Sequence, residues 1–437
     1  MRTKTIFGID ILLFISILGL TTIGIVFIYS SGISSRGLST SSEYMKQIIW
    51  AGTGIAFMVS LMFINYSRLK TMSWYIYGIC ILLLIITLIF GQVVNGAKSW
   101  LGFFNFGIQP SEFAKIGTIL LLSSYLSSNE KRIGSLRQFI VAFGIILLPV
   151  LLTVVQPDMG TALVFFPIFL GLIFIAGFPL RYILFVIIAA VFFVLLTVLP
   201  AWSAYLAKKN FMFIDLLTNS TFIQIFLLAA GFIILIAFLG YRFFKKDYFY
   251  WIMYSISIIF LSFSGSVGAR LVLKDYQLMR LIVFLNPEVD PKGAGWNIIQ
   301  SITAVGSGGF LGKGFLKGTQ SHYQYLPQQS TDFIFSIIAE EWGFLGSMLI
   351  FLLFVIILFR LVLITLSIKD SFGQFICVGI LSMLCFHFFI NIGMAMGIMP
   401  ITGIPLFFLS YGGSSLWTGM ISIGIILSIY SNRYRYA

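Results

Sequence analysis

The run IFGIDILLFISILGLTTIGIVFIYS, Ile6 to Ser30, decides the kind of fold this chain adopts, with Asp10 its only charged residue. It exceeds the roughly 20 residues a helix needs to cross ~30 Å of hydrocarbon. Lipid offers no partner to a backbone amide, so a run of this kind is read as a helix. It is also too long for a signal-peptide core and no clear cleavage site follows it, so it is expected to stay in the protein. Similar runs recur to the far end, and spans are expected at 7–30, 47–66, 72–91, 112–127, 138–156, 159–177, 180–200, 222–242, 249–268, 333–360, 372–394 and 405–431. The composition agrees, with 59% hydrophobic residues, 9% charged residues and a mean hydropathy of +1.04, against about 25% charged in soluble domains. No alternation of a membrane barrel is present. The expected fold is all-α: a polytopic transmembrane bundle of about twelve spans, with residues 1–437 as one integral membrane domain.

The net charge of +13 does not point to nucleic acid, because Lys and Arg stand at the ends of apolar runs and form no basic stripe. They report topology instead. The connections Ser67 to Lys70, Ser128 to Arg137, Tyr241 to Asp247 and Leu361 to Lys369 are basic and alternate with connections poor in Lys and Arg, so they are placed in the cytoplasm. Arg2, Lys4 and the tail NRYRYA join them, which puts both termini inside. Cys80, Cys377 and Cys385 all fall within spans and form no metal or redox spacing.

One long polar stretch interrupts this pattern. Between Tyr276 and Gly343 lies YQLMRLIVFLNPEVDPKGAGWNIIQSITAVGSGGFLGKGFLKGTQSHYQYLPQQSTDFIFSIIAEEWG, and residues 269–331 are read as a large external loop. Its GSGGFLGKG lacks the GxxxxGK[ST] spacing and the preceding strand of a nucleotide loop. Ionisable residues near the spans are costly and therefore informative. Glu112 and Lys115 share a helical face three residues apart, behind Ser111 as a helix cap. Asp158 sits at the Gln156–Gly160 corner, where capping is an equal reading. Asp332 opens a span, and Glu340 follows eight residues later, about 80° round and ~12 Å deeper. Glu341, another 100° round, is expected to face elsewhere, and the blander reading of both glutamates is that they hold helices together. His322 and His387 carry little promise as metal ligands. Pro400, Pro405, Gly412 and Gly413 predict an interrupted helix, tolerated at membrane depth where backbone is enclosed by protein or lines a cavity.

Several of these stretches together resemble one family: QPSEFAK, QPDMGTA, YQLMRLIVFLNPEVDPKGAGWNIIQS, GSGGFLGKGFLKGTQ, LPQQSTDFIFSIIAEEWG and NIGMAMGIMPITGIPLFFLSYGGSS. The chain is similar to the SEDS proteins, membrane-embedded peptidoglycan glycosyltransferases of bacteria, and GKGFLKGTQ is closer to the elongation branch than to the division branch. Against the family's usual ten spans, residues 201–270 look like an insertion carrying two extra transmembrane helices. Gln328 stands where the family commonly has Glu, and Ser99 where it frequently has Arg.

The resemblance implies the bacterial cytoplasmic membrane as location and lipid II, a disaccharide-pentapeptide on undecaprenyl pyrophosphate, as substrate. The implied reaction is inverting transfer of one sugar's C1 to the C4 hydroxyl of the next, with a carboxylate taking the hydroxyl proton and cations stabilising pyrophosphate. Asp290 matches the family's essential aspartate, although Asp-Pro followed by Gly reads on its own as a turn. Glu288 is near but unsupported by the family pattern. Lys115 and Arg280 are the leading cations for the pyrophosphate, with Lys98, Lys313 and Lys317 behind them; Glu112, Asp158, Asp332 and Glu340 complete the expected substrate-binding set. The resemblance implies no defined cofactor; a divalent Mg or Mn ion is compatible with a pyrophosphate leaving group, without a defined ligand set. Expected partners are a class B penicillin-binding protein transpeptidase, the elongation machinery and the lipid bilayer. A lipid flippase, or a non-catalytic scaffold of the elongation complex, are the alternatives.

Overall fold

The computed structural model describes residues 10–36, 38, 41–94, 96–103, 106–209, 211–273 and 275–433. Arg2, Lys4 and the last four residues, on which the cytoplasmic placement of the termini partly rests, lie outside these. Among the described residues the helices are α1 (Ile11–Ser31), α2 (Glu43–Phe63), α3 (Ser67–Phe90), α4 (Pro110–Ser128), α5 (Leu136–Val155), α6 (Met159–Ile175), α7 (Leu180–Trp202), α8 (Met212–Thr218), α9 (Ser220–Phe244), α10 (Asp247–Val272), α11 (Asp275–Leu285), α12 (Ala294–Ser307), α13 (Thr319–His322), α14 (Ile334–Ser367), α15 (Ser371–Ala395) and α16 (Gly413–Asn432). Ten are long and apolar enough to cross a membrane, so the chain is a multi-pass membrane protein. Two expected spans fall outside that set. Helix α4 carries Glu112 and Lys115 and is buried along most of its length, and α6 has only 17 residues.

The chain forms two compact units, Met1–Phe178 with Asn297–Ala437, and Pro179–Trp296. In the first, α4 is the central helix, packed by α3, α5, α6, α15 and α16, while α2 lies on α16 and α1 on α14. In the second, α10 packs on α7 and α9. There Ser262 Oγ donates to the Ala189 carbonyl at 2.9 Å, tying α10 to α7, and Phe226 meets Phe263 edge-on at 4.7 Å, tying α10 to α9. The α9–α10 pair occupies the segment read as two extra helices.

Between α3 and α4, Gln92–Val94 (β1), Ala97–Phe103 (β2) and Phe106–Ile108 (β3) form a small antiparallel sheet in the order β1-β2-β3. Residues 269–331 are largely helical, holding the end of α10, then α11, α12 and α13. The last span begins at Gly413 and not at 405, because residues 397–412 are irregular throughout.

That irregular segment obeys the membrane rule by having protein partners for its backbone. Asn391 Nδ2 donates to the Ile404 carbonyl at 2.8 Å and to that of Asp332 at 2.9 Å. His387 Nδ1 meets the Pro405 carbonyl at 2.8 Å. Gln47, fully buried, donates to the Ser410 carbonyl at 3.1 Å and accepts from Gly412 N–H at 3.3 Å. Tyr411 N–H donates to the Ser330 carbonyl at 2.8 Å.

A second break lies inside α14. Gly343 adopts φ 61°, ψ −153°, so the carbonyls before it and the amides after it lose helical partners. The glycine-rich stretch Gly306–Gly314 supplies replacements. Lys313 and Gly314 N–H donate to the Glu340 and Glu341 carbonyls at 3.0 and 2.9 Å, while Phe344 and Leu345 N–H donate to the Gly309 and Phe310 carbonyls at 2.9 and 3.2 Å. The approach admits no side chain: a Cβ on Gly343 would stand 2.3 Å from Gly312 N, and one on Gly312 2.1 Å from the Glu341 carbonyl oxygen.

Candidate functional site

Asp290 follows a 3-10 turn, Pro287–Val289, that Asn286 opens by accepting from Glu288 N–H at 3.0 Å. Its own Oδ1 accepts from Gly293 N–H at 3.0 Å, and its carbonyl accepts from Gly295 N–H at 2.9 Å. The turn expected from Asp-Pro is therefore real, and it fixes the carboxylate just before α12. The glycines of DPKGAG are explained by the same geometry. A Cβ on Gly293 would lie 2.2 Å from Asp290 Oδ2, and one on Gly295 2.3 Å from the Pro287 carbonyl oxygen. Arg280, one element earlier on α11, holds its guanidinium 5.6 Å from the Tyr276 ring centroid. Both lie in the unit Pro179–Trp296, where Glu288 is exposed.

The remaining candidates belong to the other unit, and most are engaged by neighbours. Asp158 caps α6: Oδ1 accepts from Thr161 N–H at 3.2 Å, and Oδ2 accepts from Gln109 Nε2 at 2.7 Å, Thr161 Oγ1 at 3.0 Å and Ser111 Oγ at 3.4 Å. Lys98 donates from Nζ to the Ile89 carbonyl at 3.0 Å, closing the C-terminal turn of α3. Asp332 is half-buried just ahead of α14, its carbonyl held by Asn391.

Glu112 and Lys115 pair at 2.8 Å, and the lysine is fully buried. Lys115 Nζ also stands 3.2 Å from His387 Nε2 and 5.4 Å from the Phe407 ring centroid. An ammonium only donates, so Nε2 accepts and the proton of a neutral His387 sits on Nδ1, directed at the Pro405 carbonyl. At the level of sequence His387 carries no signal beyond being an ionisable group in an apolar span. Its importance comes from a residue 272 positions away.

Glu340, fully buried, receives Lys313 Nζ at 2.8 Å, Thr319 N–H at 2.7 Å and Gln320 N–H at 3.0 Å. Glu341, on the next face of the helix, meets a different set of partners. It accepts from Leu316 N–H at 3.1 Å and Ser30 Oγ at 2.6 Å, with His322 Nε2 at 3.4 Å. The loop wraps round the helix far enough to reach both faces. Lys317 is exposed. Among the described residues no group of three or more His, Cys, Asp and Glu side chains could hold a metal ion.

A helical membrane bundle with these motifs has known counterparts. The profile of the cell cycle protein family that comprises FtsW, RodA and SpoVE matches residues 10–223 and 219–435, and the chain belongs to that family. It is 49% identical to the peptidoglycan glycosyltransferase RodA of Treponema pallidum over 432 residues, 98% of this chain and 99% of that one. Stage V sporulation protein E of Bacillus subtilis is 34% identical, covering 96% of each chain. Among solved structures, a chain of a peptidoglycan synthase complex that coordinates polymerization and crosslinking aligns with a TM-score of 0.68 at 25% identity, covering 98% of this chain and 99% of that one. The crystal structure of Thermus thermophilus RodA aligns at 0.61 and 23% identity, covering 98% of each, and supports the fold.

Proposed function

We propose that this protein is a peptidoglycan glycosyltransferase that polymerises lipid II at the outer face of the cytoplasmic membrane, for cell elongation. The observation that carries the reading is the 49% identity along almost the full length of both chains with a relative of that name. A class B penicillin-binding protein is the proposed transpeptidase partner, in keeping with the synthase complex among the structural relatives. Both termini are placed in the cytoplasm and the Asp290 turn outside.

In this reading Asp290 is the general base. It takes the proton of the acceptor C4 hydroxyl as that oxygen attacks the donor C1 from the face opposite the pyrophosphate; the C1–O bond breaks and the electron pair leaves with the pyrophosphate. Arg280, in the same unit, is the cation for the leaving group, where a guanidinium's paired donors suit phosphate oxygens. Lys98, Glu112, Lys115, Asp158 and Glu340 hold irregular backbone and helix ends in place, because their polar atoms largely serve one another and the main chain.

The test is glycan synthesis by purified protein reconstituted with lipid II. Asp290→Asn keeps an oxygen to accept from Gly293 N–H, so the turn should survive while polymer is lost; the pair of measurements is glycan length and thermal unfolding. Wild-type rates from the Asn variant would remove Asp290 as base. Lipid translocation with no polymer from the unaltered protein would overturn the enzyme reading in favour of a carrier.

A further inference from the structure

Of the six arginines within the membrane-length helices, Arg68, Arg137, Arg181 and Arg242 are exposed; Arg270 and Arg360 are half-buried, and they are treated differently. Arg360 on α14 has the Asp10 carboxylate across its fork. Arg270, half-buried in the last turn of α10, has neutral acceptors among the described residues. Nη1 donates to the Leu217 carbonyl at 3.1 Å, Nε to the Ser266 carbonyl at 3.3 Å and Nη2 to Ser266 Oγ at 3.3 Å. Arg270 forms none of the ion pairs among the described residues. A guanidinium carries five N–H donors, so three bonds fix its plane and two donors remain for an outside group. A half-buried charge with no counter-ion is stabilised when an anion offsets it.

The surroundings indicate which anion does so. The Leu217 carbonyl belongs to α8, a seven-residue helix that buries Ile214 and Leu217 but leaves Met212 and Phe213 exposed at 81% and 64%. Exposed Lys208 and Lys209 precede it. Apolar side chains beside lysines at the end of a membrane helix are the pattern of an interfacial helix lying at headgroup level. Phosphate is the anion abundant at that level, and its oxygens match a guanidinium fork.

We propose that Arg270 is a binding site for the phosphate of a membrane lipid, with its guanidinium oriented by Leu217 and Ser266 and its hydrocarbon neighbour provided by α8. The phosphate comes either from an anionic phospholipid or from a prenyl diphosphate, and the chemistry is shared. This site stands whether or not Asp290 is a catalytic base.

The experiment uses the full-length protein in phosphatidylcholine nanodiscs, titrated separately with phosphatidylglycerol and with undecaprenyl diphosphate, bound lipid being counted by native mass spectrometry. Arg270→Gln should weaken one of the two by tenfold or more, with Arg270→Lys intermediate; the lipid affected identifies the source. Equal affinities for both lipids in wild type and the Gln variant overturn the proposal. Should the Gln variant fail to fold, the wild type decides alone. Modification of Arg270 by phenylglyoxal should slow severalfold when either lipid is present, and an unchanged rate with both overturns the site.

Discussion

Gly293 and His387 show how single residues act here through what they leave free for others. An alanine at Gly293 would drive its Cβ into the Asp290 carboxylate, so Gly293→Ala should reduce lipid II polymerisation by an order of magnitude or more, with little loss of thermal stability. Equal losses of both, measured side by side, would make the turn merely structural. His387→Leu orphans the Pro405 carbonyl and deprives Lys115 of an acceptor, and each buried group left unsatisfied costs on the order of 1–3 kcal/mol. Gln can accept from Lys115 and donate to Pro405 at once. His387→Gln should therefore unfold close to the wild-type temperature and His387→Leu well below it; coincident melting curves would deny His387 that role. None of this was readable at position 387 itself, since Phe386, Phe388 and Phe389 surround it with an ordinary apolar run. The turn at Asp290 was readable, because its chemistry is local.

At the scale of elements, the regular helices were legible and the breaks only partly so. Apolar length fixes where a span lies, and the expected 112–127 became Pro110–Ser128 with the proline at its first turn. Proline and glycine spacing announced the irregular stretch before α16. The break in α14 was hidden, for its partner is a glycine-rich loop some 30 residues earlier, and a pairing between distant segments leaves no periodicity in either. Strands of three residues, such as β1 and β3, are likewise too short to show alternation. Gly343→Ala forces a side chain into a positive-φ position and against Gly312, strain worth about 1–3 kcal/mol before the clash is counted. It should lower the melting temperature and open the 308–322 loop to proteolysis. A variant as resistant as wild type would mean that α14 can run straight through.

For the whole molecule, sequence supplied the membrane class and the order of helices, because both follow from hydropathy and charge. It could not supply the division into two units, which rests on tertiary packing. Sidedness remains a sequence argument, and a direct check exists. An alkaline phosphatase fusion after Gln329 should be active and a green fluorescent protein fusion there dark; the reverse pattern would invert the topology and remove Asp290 from the outer face. The junction at Gly343 also bears on how such a chain is made. The glycine loop leaves the ribosome before Ile334–Trp342 does, so the helix stub meets its clasp as soon as it is synthesised. Released into lipid by itself, that stub would expose unpaired carbonyls to hydrocarbon. Residues 308–345 are therefore expected to enter the bilayer as one folded hairpin, and protease protection of chains truncated after Leu345, with and without residues 308–314, checks it.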